Sequence, residues 1–139
     1  MKTVLVVDDE PAVRAVVRAI LHDEGYAVLE AAHGRAMLDV LARERADLVL
    51  MDVMMPGGDG REAFDELRAR EDLPDVPVVM MSAAIRPEGL NPAIAAFVRK
   101  PFDLDQLLDL IARLIGPAHA GQSAPIRPGR APGNRTTPP

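Results

Sequence analysis

The chain has 139 residues, which suits one domain with a tail, and 48% of them are hydrophobic, so a core can form. There is no cysteine, which excludes a disulfide framework and a thiolate metal site. The net charge is −5, and all 21 acidic residues precede Gly116, so the balance argues against a nucleic-acid binder, which is usually basic on one face.

Apolar segments that suit strands alternate with segments that suit helices along the first 116 residues. Strands are predicted at residues 3–7, 27–30, 48–51, 76–81 and 95–98. Helical spacing of apolar residues follows the first, second, third and fifth of these segments. Pro11 suits the first position of the first helix, and Asp103 with Gln106 forms a plausible capping box for the last. Strands that are apolar throughout indicate a parallel sheet covered by helices on both faces.

A fourth helix, between the fourth and fifth strands, would have to include Pro87, Gly89 and Pro92. A proline inside a helix costs about 3 kcal/mol and a glycine about 1 kcal/mol, so the whole helix would carry a penalty of roughly 6 or 7 kcal/mol. Asn91 can instead cap a single turn that begins at Pro92. We therefore predict that this helix is absent or about one turn long, after a mobile loop over residues 83–90.

The composition changes after the last predicted helix. Residues 117–139 are rich in Pro, Gly, Ser, Thr and Arg and contain almost nothing to bury. We therefore predict one domain over residues 1–116 and a disordered tail over 117–139. Arg127, Arg130 and Arg135 could contact an acidic partner, but a solvated tail is the simpler interpretation.

Polar side chains stand where four of the predicted strands end. Asp8 and Asp9 follow the first strand, Asp52 ends the third, Ser82 ends the fourth, and Lys100 follows the fifth. The carboxyl ends of parallel strands share one edge of the sheet, where such folds bind ligands. Each residue alone could be a helix cap, a strand end or a surface charge, but these explanations would all have to hold at one sheet edge.

This set of side chains suits phosphoryl transfer with a metal ion. Three neighbouring carboxylates repel each other and need a cation, and hard oxygen ligands favour Mg²⁺, which leaves room for phosphate oxygens. A carboxylate can act as a nucleophile towards phosphorus and form an aspartyl-phosphate. The transfer requires in-line geometry and positive charge beside the equatorial oxygens of the phosphoryl group. Mg²⁺ and Lys100 would supply that charge, and the Ser82 hydroxyl would donate a hydrogen bond.

Four segments resemble the receiver domains of bacterial two-component response regulators. They are VVDDE (6–10), LMDVMMP (50–56), MSA (81–83) and RKPF (99–102). The resemblance covers about residues 2–116 and implies a doubly wound α/β fold, with a five-stranded parallel sheet in the flavodoxin-like order 2-1-3-4-5. It also implies a stand-alone signalling module of the chemotaxis-regulator kind, which catalyses only its own phosphorylation and dephosphorylation.

The resemblance also implies roles for individual acids. Asp52 would be the phosphoacceptor. Asp9, Asp52 and the backbone carbonyl of Met54 would hold Mg²⁺ directly, and Asp8 would help through a water molecule. The phosphoryl group would come from a histidine kinase or a phosphotransfer protein.

A second group of residues would sense the phosphoryl group. Ser82, where threonine is common in the family, and Lys100 would contact its oxygens. Phe97 occupies the switch aromatic position, where tyrosine is frequent, so a signal from a phenolic hydroxyl is absent. The bond between Lys100 and Pro101 would be cis, which is essentially a proline feature. The change of conformation would alter the binding of an output protein or allow the group to pass on.

Three other functions remain open on the sequence alone. A phosphohydrolase of this fold usually needs a second acid two residues after the nucleophile, where Met54 stands. A flavodoxin-like flavin carrier needs a phosphate-binding loop where this chain has Asp8 and Asp9. A degenerate receiver used as a scaffold would not need the complete set of acids, serine and lysine.

Some properties are expected only in outline. No apolar run approaches the roughly 18 residues that span a bilayer, and the chain does not begin with a signal peptide. We therefore expect a cytoplasmic protein that contacts neither membrane nor nucleic acid. We expect a monomer or a weak dimer.

Overall fold

The computed structural model describes residues 1–55, 60–83 and 91–118, which contain five strands and four helices. A helix follows every strand except β4 in these residues. The strands β1 to β5 are Thr3–Val7, Ala27–Ala31, Leu48–Asp52, Val78–Ser82 and Ala96–Arg99. The helices α1 to α4 are Pro11–Asp23, Gly34–Arg43, Gly60–Ala69 and Leu104–Ile115. All strand pairs are parallel, in the order β2-β1-β3-β4-β5. The doubly wound five-stranded sheet and its flavodoxin-like order are therefore confirmed.

Two apolar clusters cover the two faces of the sheet. Leu5 and Val7 of β1 pack in one cluster with residues of α2 and α3. Val4 and Val6 pack in the other with residues of α1 and α4. Every residue of β3 and β4 is buried, which explains why these segments are apolar without alternation up to their polar ends. Two filled faces leave the ends of the strands as the places where polar side chains can collect.

The helix boundaries follow local signals in the sequence. Helix α1 has Pro11 at its first position, and Gly25 just beyond its end adopts a positive φ of 96°, which favours glycine. The Asp103 carboxylate caps α4 by accepting hydrogen bonds from the amides of Asp105 (2.8 Å) and Gln106 (3.2 Å). The predicted starts of the first and last helices are thus confirmed.

The fourth strand begins later than the sequence prediction. Strand β4 starts at Val78, two residues after the predicted start. Pro77 has no amide hydrogen for the ladder, although its carbonyl still accepts a hydrogen bond from the Val49 amide at 2.9 Å. The predicted strand was too long because proline can enter a sheet only as an acceptor.

A single turn precedes β5. The Asn91 side chain accepts a hydrogen bond from the Ala93 amide (2.9 Å), and its carbonyl accepts one from the Ile94 amide (3.0 Å). Residues 91–95 contain a turn and no helix, and the length of a fourth helix stays a prediction because it also depends on residues 84–90. Of the predicted mobile loop over residues 83–90, all but Ala83 lies outside the described residues.

The short segment that follows α4 packs back against the start of β1. The Ala118 carbonyl accepts a hydrogen bond from the Lys2 amide at 2.7 Å, and Ala118 is buried. The Tyr26 hydroxyl donates to the Gly116 carbonyl at 3.2 Å. Residues 119–139 of the predicted tail lie outside the described residues. In the described part of the chain, none of the helices has the length and hydrophobicity to cross a bilayer.

Helix α3 begins directly against the end of β3. The Gly60 amide donates to the Val53 carbonyl at 2.7 Å. A Cβ atom at Gly60 would lie 2.6 Å from the carbonyl oxygen of Asp52 and 3.0 Å from Cα of Val53. Only glycine allows this approach, so the start of α3 fixes the backbone at the end of β3.

The substitution Gly60→Ala tests this contact through the sign of its effect. At an open helical position, alanine stabilises a helix by about 1 kcal/mol relative to glycine. Here the added methyl group meets backbone atoms, and overpacking costs about 1–3 kcal/mol. We therefore expect urea denaturation to show a lower free energy of unfolding for Gly60→Ala. An unchanged or higher value would contradict the contact.

Candidate functional site

The carboxyl ends of four strands place the predicted polar residues at one edge of the sheet. Asp8 follows β1 and its amide donates to the Ala31 carbonyl at the end of β2 (3.1 Å). Ser82 ends β4, and its carbonyl accepts a hydrogen bond from the Lys100 amide (3.1 Å). Asp52 ends β3 beside β4. The ladder of the parallel sheet thus brings together groups that are distant in sequence.

Three carboxylates form the centre of this edge. Asp8, Asp9 and Asp52 each offer an oxygen, and these oxygens lie within 4.8 Å of one another. Asp8 is fully buried and Asp52 is 6% exposed, whereas Asp9 is half-buried. Like charges at such distances repel strongly where water is excluded, so the cluster requires positive charge.

Lys100 supplies positive charge to two of the three acids. Its Nζ atom lies 3.2 Å from Oδ2 of Asp8 and 3.4 Å from Oδ2 of Asp52. The Lys100–Pro101 peptide bond that follows is cis, as the resemblance implies. One ammonium group therefore bridges two acids that come from different strands.

Burial and charge perturb both partners of this bridge. Burial raises the pKa of Asp52 above its ordinary value, and the Asp8 carboxylate acts in the same direction, while Lys100 opposes them. Burial alone would lower the pKa of Lys100, but the Asp52 and Asp8 carboxylates raise it above its ordinary value. Lys100 is therefore a fixed positive charge at neutral pH, and Asp52 is an acid that is costly to ionise.

The backbone of the acid pair is held by residues that the sequence motifs do not mark. Oδ1 of Asp8 accepts a hydrogen bond from the Glu10 amide (2.9 Å), and the Asp8 carbonyl accepts one from Nη1 of Arg14 (2.6 Å). Nε of Arg14 donates to Glu30 at 3.1 Å. The only sequence signal for these contacts is a basic residue in the first helix after the acids and an acidic residue near the end of the second strand.

Met54 and Phe97 lie near the site in different ways. The Met54 amide donates to Oδ1 of Asp52 (3.3 Å), and the Met54 side chain is 51% exposed. Phe97 of β5 is half-buried against the cluster that contains α2 and α3, and the Arg99 guanidinium lies 5.8 Å from the centre of its ring. The role of the Met54 carbonyl as a metal ligand and that of Phe97 as a switch remain predictions.

The donor set fits Mg²⁺. Every candidate side-chain ligand in the cluster is a carboxylate oxygen, the type that Mg²⁺ prefers. Half-buried Asp9 gives the cluster a side from which an ion with its waters can approach. The site has neither a histidine nor a cysteine among its acids, so it does not resemble a zinc site.

The raised pKa of Asp52 predicts how stability depends on pH. The folded state binds this proton more tightly than the unfolded state, so ionised Asp52 lowers stability once the pH exceeds its ordinary pKa of about 3.9. We therefore expect Asp52→Asn to raise Tm at about pH 7 without divalent cations. The difference from wild type should disappear below about pH 4.

Thermal unfolding at both pH values checks this expectation. Asp39→Asn is the matched control because Asp39 is an exposed acid on α2, and the change should have little effect. A lower Tm for Asp52→Asn at neutral pH would mean that Lys100 stabilises ionised Asp52 by more than burial destabilises it.

Known proteins are similar to this chain in sequence and in fold. Residues 4–112 match the family model of the response regulator receiver domain. The response regulator MprA of Mycolicibacterium vanbaalenii is 40% identical over 129 residues, which are 87% of this chain and 55% of the relative. The sporulation initiation phosphotransferase F of Bacillus subtilis is 32% identical over 117 residues, which are 81% of this chain and 92% of the relative.

A solved structure agrees with these similarities. The response regulator protein TrrA of Thermotoga maritima, in complex with Mg²⁺–BeF, has a TM-score of 0.74 and 33% identity, over 82% of this chain and 99% of that one. The chain spans about half the length of its MprA relatives, which contain further sequence. The strand order, the acid cluster with its lysine and these similarities show that the chain belongs to the receiver-domain family of two-component response regulators.

Proposed function

We propose that this receiver domain accepts a phosphoryl group on Asp52, with Mg²⁺ held by the neighbouring acids. The observation that carries the proposal is the position of the Asp52 carboxylate. It lies 3.4 Å from the Lys100 ammonium and within 4.8 Å of carboxylate oxygens of Asp8 and Asp9. A nucleophile for phosphorus thus stands beside a fixed positive charge and a set of metal ligands.

Each site residue has a separate task in the transfer. An Asp52 oxygen forms a bond to phosphorus as the bond from phosphorus to the donor breaks, which leaves an aspartyl-phosphate. Asp9, Asp52 and the Met54 carbonyl would hold Mg²⁺, with Asp8 assisting through water. When bound, the ion supplies positive charge to the phosphoryl oxygens. The structurally similar protein TrrA is in complex with Mg²⁺–BeF, which supports the binding of Mg²⁺ by this chain.

Lys100 changes partner in this proposal. In the resting domain its Nζ atom bridges Asp8 and Asp52 at 3.2 and 3.4 Å. Once Asp52 carries the phosphoryl group, the ammonium binds a phosphoryl oxygen, and the Ser82 hydroxyl donates to another. The Ser82 loop and Phe97 then rearrange, because a local change of charge biases an element with two conformations.

The partners follow from the chemistry of the family. A histidine kinase or a phosphotransfer protein supplies the phosphoryl group. The output is a protein contact or onward transfer, and the similarity to a sporulation phosphotransferase supports the second route. On this proposal the domain catalyses only its own phosphorylation and dephosphorylation.

A cytoplasmic location and a monomeric or weakly dimeric state remain predictions. So does the division into a domain over residues 1–116 and a tail over 117–139.

Phosphorylation on Asp52 is directly measurable. With Mg²⁺ and a small phosphodonor such as acetyl phosphate, we expect the intact mass of the wild type to rise by one phosphoryl group. Asp52→Asn removes the nucleophile and should show no increase. Asp39→Asn, which changes an exposed acid on α2 in the same way, should behave as wild type. An equal gain of mass in Asp52→Asn would refute the assignment.

Metal binding should depend on Asp9 as well as on Asp52. Asp9→Asn removes one of three clustered carboxylates, and loss of a direct ligand should weaken Mg²⁺ binding by about tenfold or more. Titration calorimetry of the unphosphorylated protein measures this affinity, again with Asp39→Asn as the control. Wild-type affinity in Asp9→Asn would show that the ion does not bind at this cluster.

A further inference from the structure

Arg14 joins the acid pair to the neighbouring strand. Its Nη1 atom donates to the backbone carbonyl of Asp8 at 2.6 Å, and its Nε donates to the Glu30 carboxylate at 3.1 Å. The Arg14 side chain is 18% exposed, so its contact with the Asp8 carbonyl is partly buried, whereas its contact with Glu30 lies at the surface. The planar guanidinium presents both donors in one rigid unit, which a flexible ammonium cannot do.

Asp8 is therefore held from several directions. Its amide donates to Ala31, its side chain meets the Glu10 amide and Lys100, and its carbonyl meets Arg14. The carbonyl of Asp8 belongs to the peptide unit that leads into Asp9. A hydrogen bond at that carbonyl consequently fixes the orientation of the next residue, which is the most accessible acid of the cluster.

We infer that Arg14 is a positioning residue for the Mg²⁺ site, which acts by fixing the Asp8–Asp9 peptide and is itself braced by Glu30. This inference rests on the proposed function of the acid cluster as a metal site. Partners that orient metal ligands commonly change metal affinity by 10–100-fold when they are removed. Arg14 contacts neither the ion nor the phosphoryl group in this account.

The sign of the effect separates positioning from charge. Arg14 is a cation near a site that would bind a cation, so removal of its charge alone should leave Mg²⁺ affinity unchanged or higher. Loss of the fixed peptide orientation should instead lower the affinity. Arg14→Gln therefore gives opposite results under the two explanations.

The chain offers a matched control on the same helix. Nε of Arg18 lies 3.6 Å from the other oxygen of Glu30, but the Arg18 side chain is 61% exposed, and it pairs with Glu30 and not with Asp8 in the described part of the chain. Arg18→Gln removes the same charge near the same acid. Mg²⁺ affinity is measured by calorimetry at a temperature where every variant is folded, and Tm in EDTA records any loss of stability separately.

We expect Arg14→Gln to bind Mg²⁺ about tenfold more weakly than wild type and Arg18→Gln to bind as wild type does. Arg14→Lys keeps the charge but can reach only one of the two acceptors, so its affinity should lie in between. In NMR spectra of the metal-free protein, the Asp9 and Glu10 amides should shift in Arg14→Gln and not in Arg18→Gln. If Arg14→Gln does not fold, Arg14→Lys gives the same comparison with the charge retained.

Glu30→Gln tests the brace. It should weaken Mg²⁺ binding in the same direction as Arg14→Gln, and the double variant should be no weaker than Arg14→Gln alone, because both act through one contact. Wild-type or tighter Mg²⁺ binding in Arg14→Gln and Arg14→Lys would overturn the inference and leave the proposed function intact. Failure of the wild type itself to bind Mg²⁺ would overturn the proposed function.

Discussion

Two carboxylates are buried beside one ammonium group at the edge of the sheet, and the site depends on how that charge is balanced. Asp8 and Asp52 are almost inaccessible to water, and the Nζ atom of Lys100 lies 3.2 and 3.4 Å from them. An unpaired charge at this depth would be strongly destabilising. The resting domain therefore contains a lysine that is bound to two of the acids proposed above to take part in phosphoryl transfer and metal binding.

The fold provides this arrangement through its parallel ladder. In the ladder β3 extends one residue beyond β1, and β4 extends one residue beyond β3, so Asp8, Asp52 and Ser82 meet at one edge without long loops. The close contact at Gly60 fixes the chain after Asp52, and Arg14 with Glu30 fixes the chain after Asp8. Two apolar clusters fill the faces of the sheet and hold the strands in place. The packing of the rest of the domain thus offsets the unfavourable free energy of the buried charges at the site.

Apolar periodicity predicts the strands, and the shared carboxyl edge of parallel strands predicts which residues meet there. The order of the strands is implied only by the resemblance to receiver domains. The sequence does not predict that Arg14 reaches the Asp8 carbonyl, since that contact depends on the angle between α1 and β1. The start of β4 was misplaced at Val76, because a pattern of hydrophobicity does not count amide hydrogens and Pro77 has none. The contact of Glu30 with Arg14 depends on the register of β2 beside β1, which the sequence does not show.

The pKa of the Asp52 carboxyl group is the most direct test of the charge balance at the centre of this account. Carboxyl ¹³C shifts can follow its titration in wild type and in Lys100→Met, without phosphodonor or divalent cation. The account predicts a wild-type pKa above the ordinary value and a higher one still in Lys100→Met, because the ammonium opposes the effects of burial and of Asp8. The same pKa in both proteins would show that Lys100 does not balance the charge of Asp52.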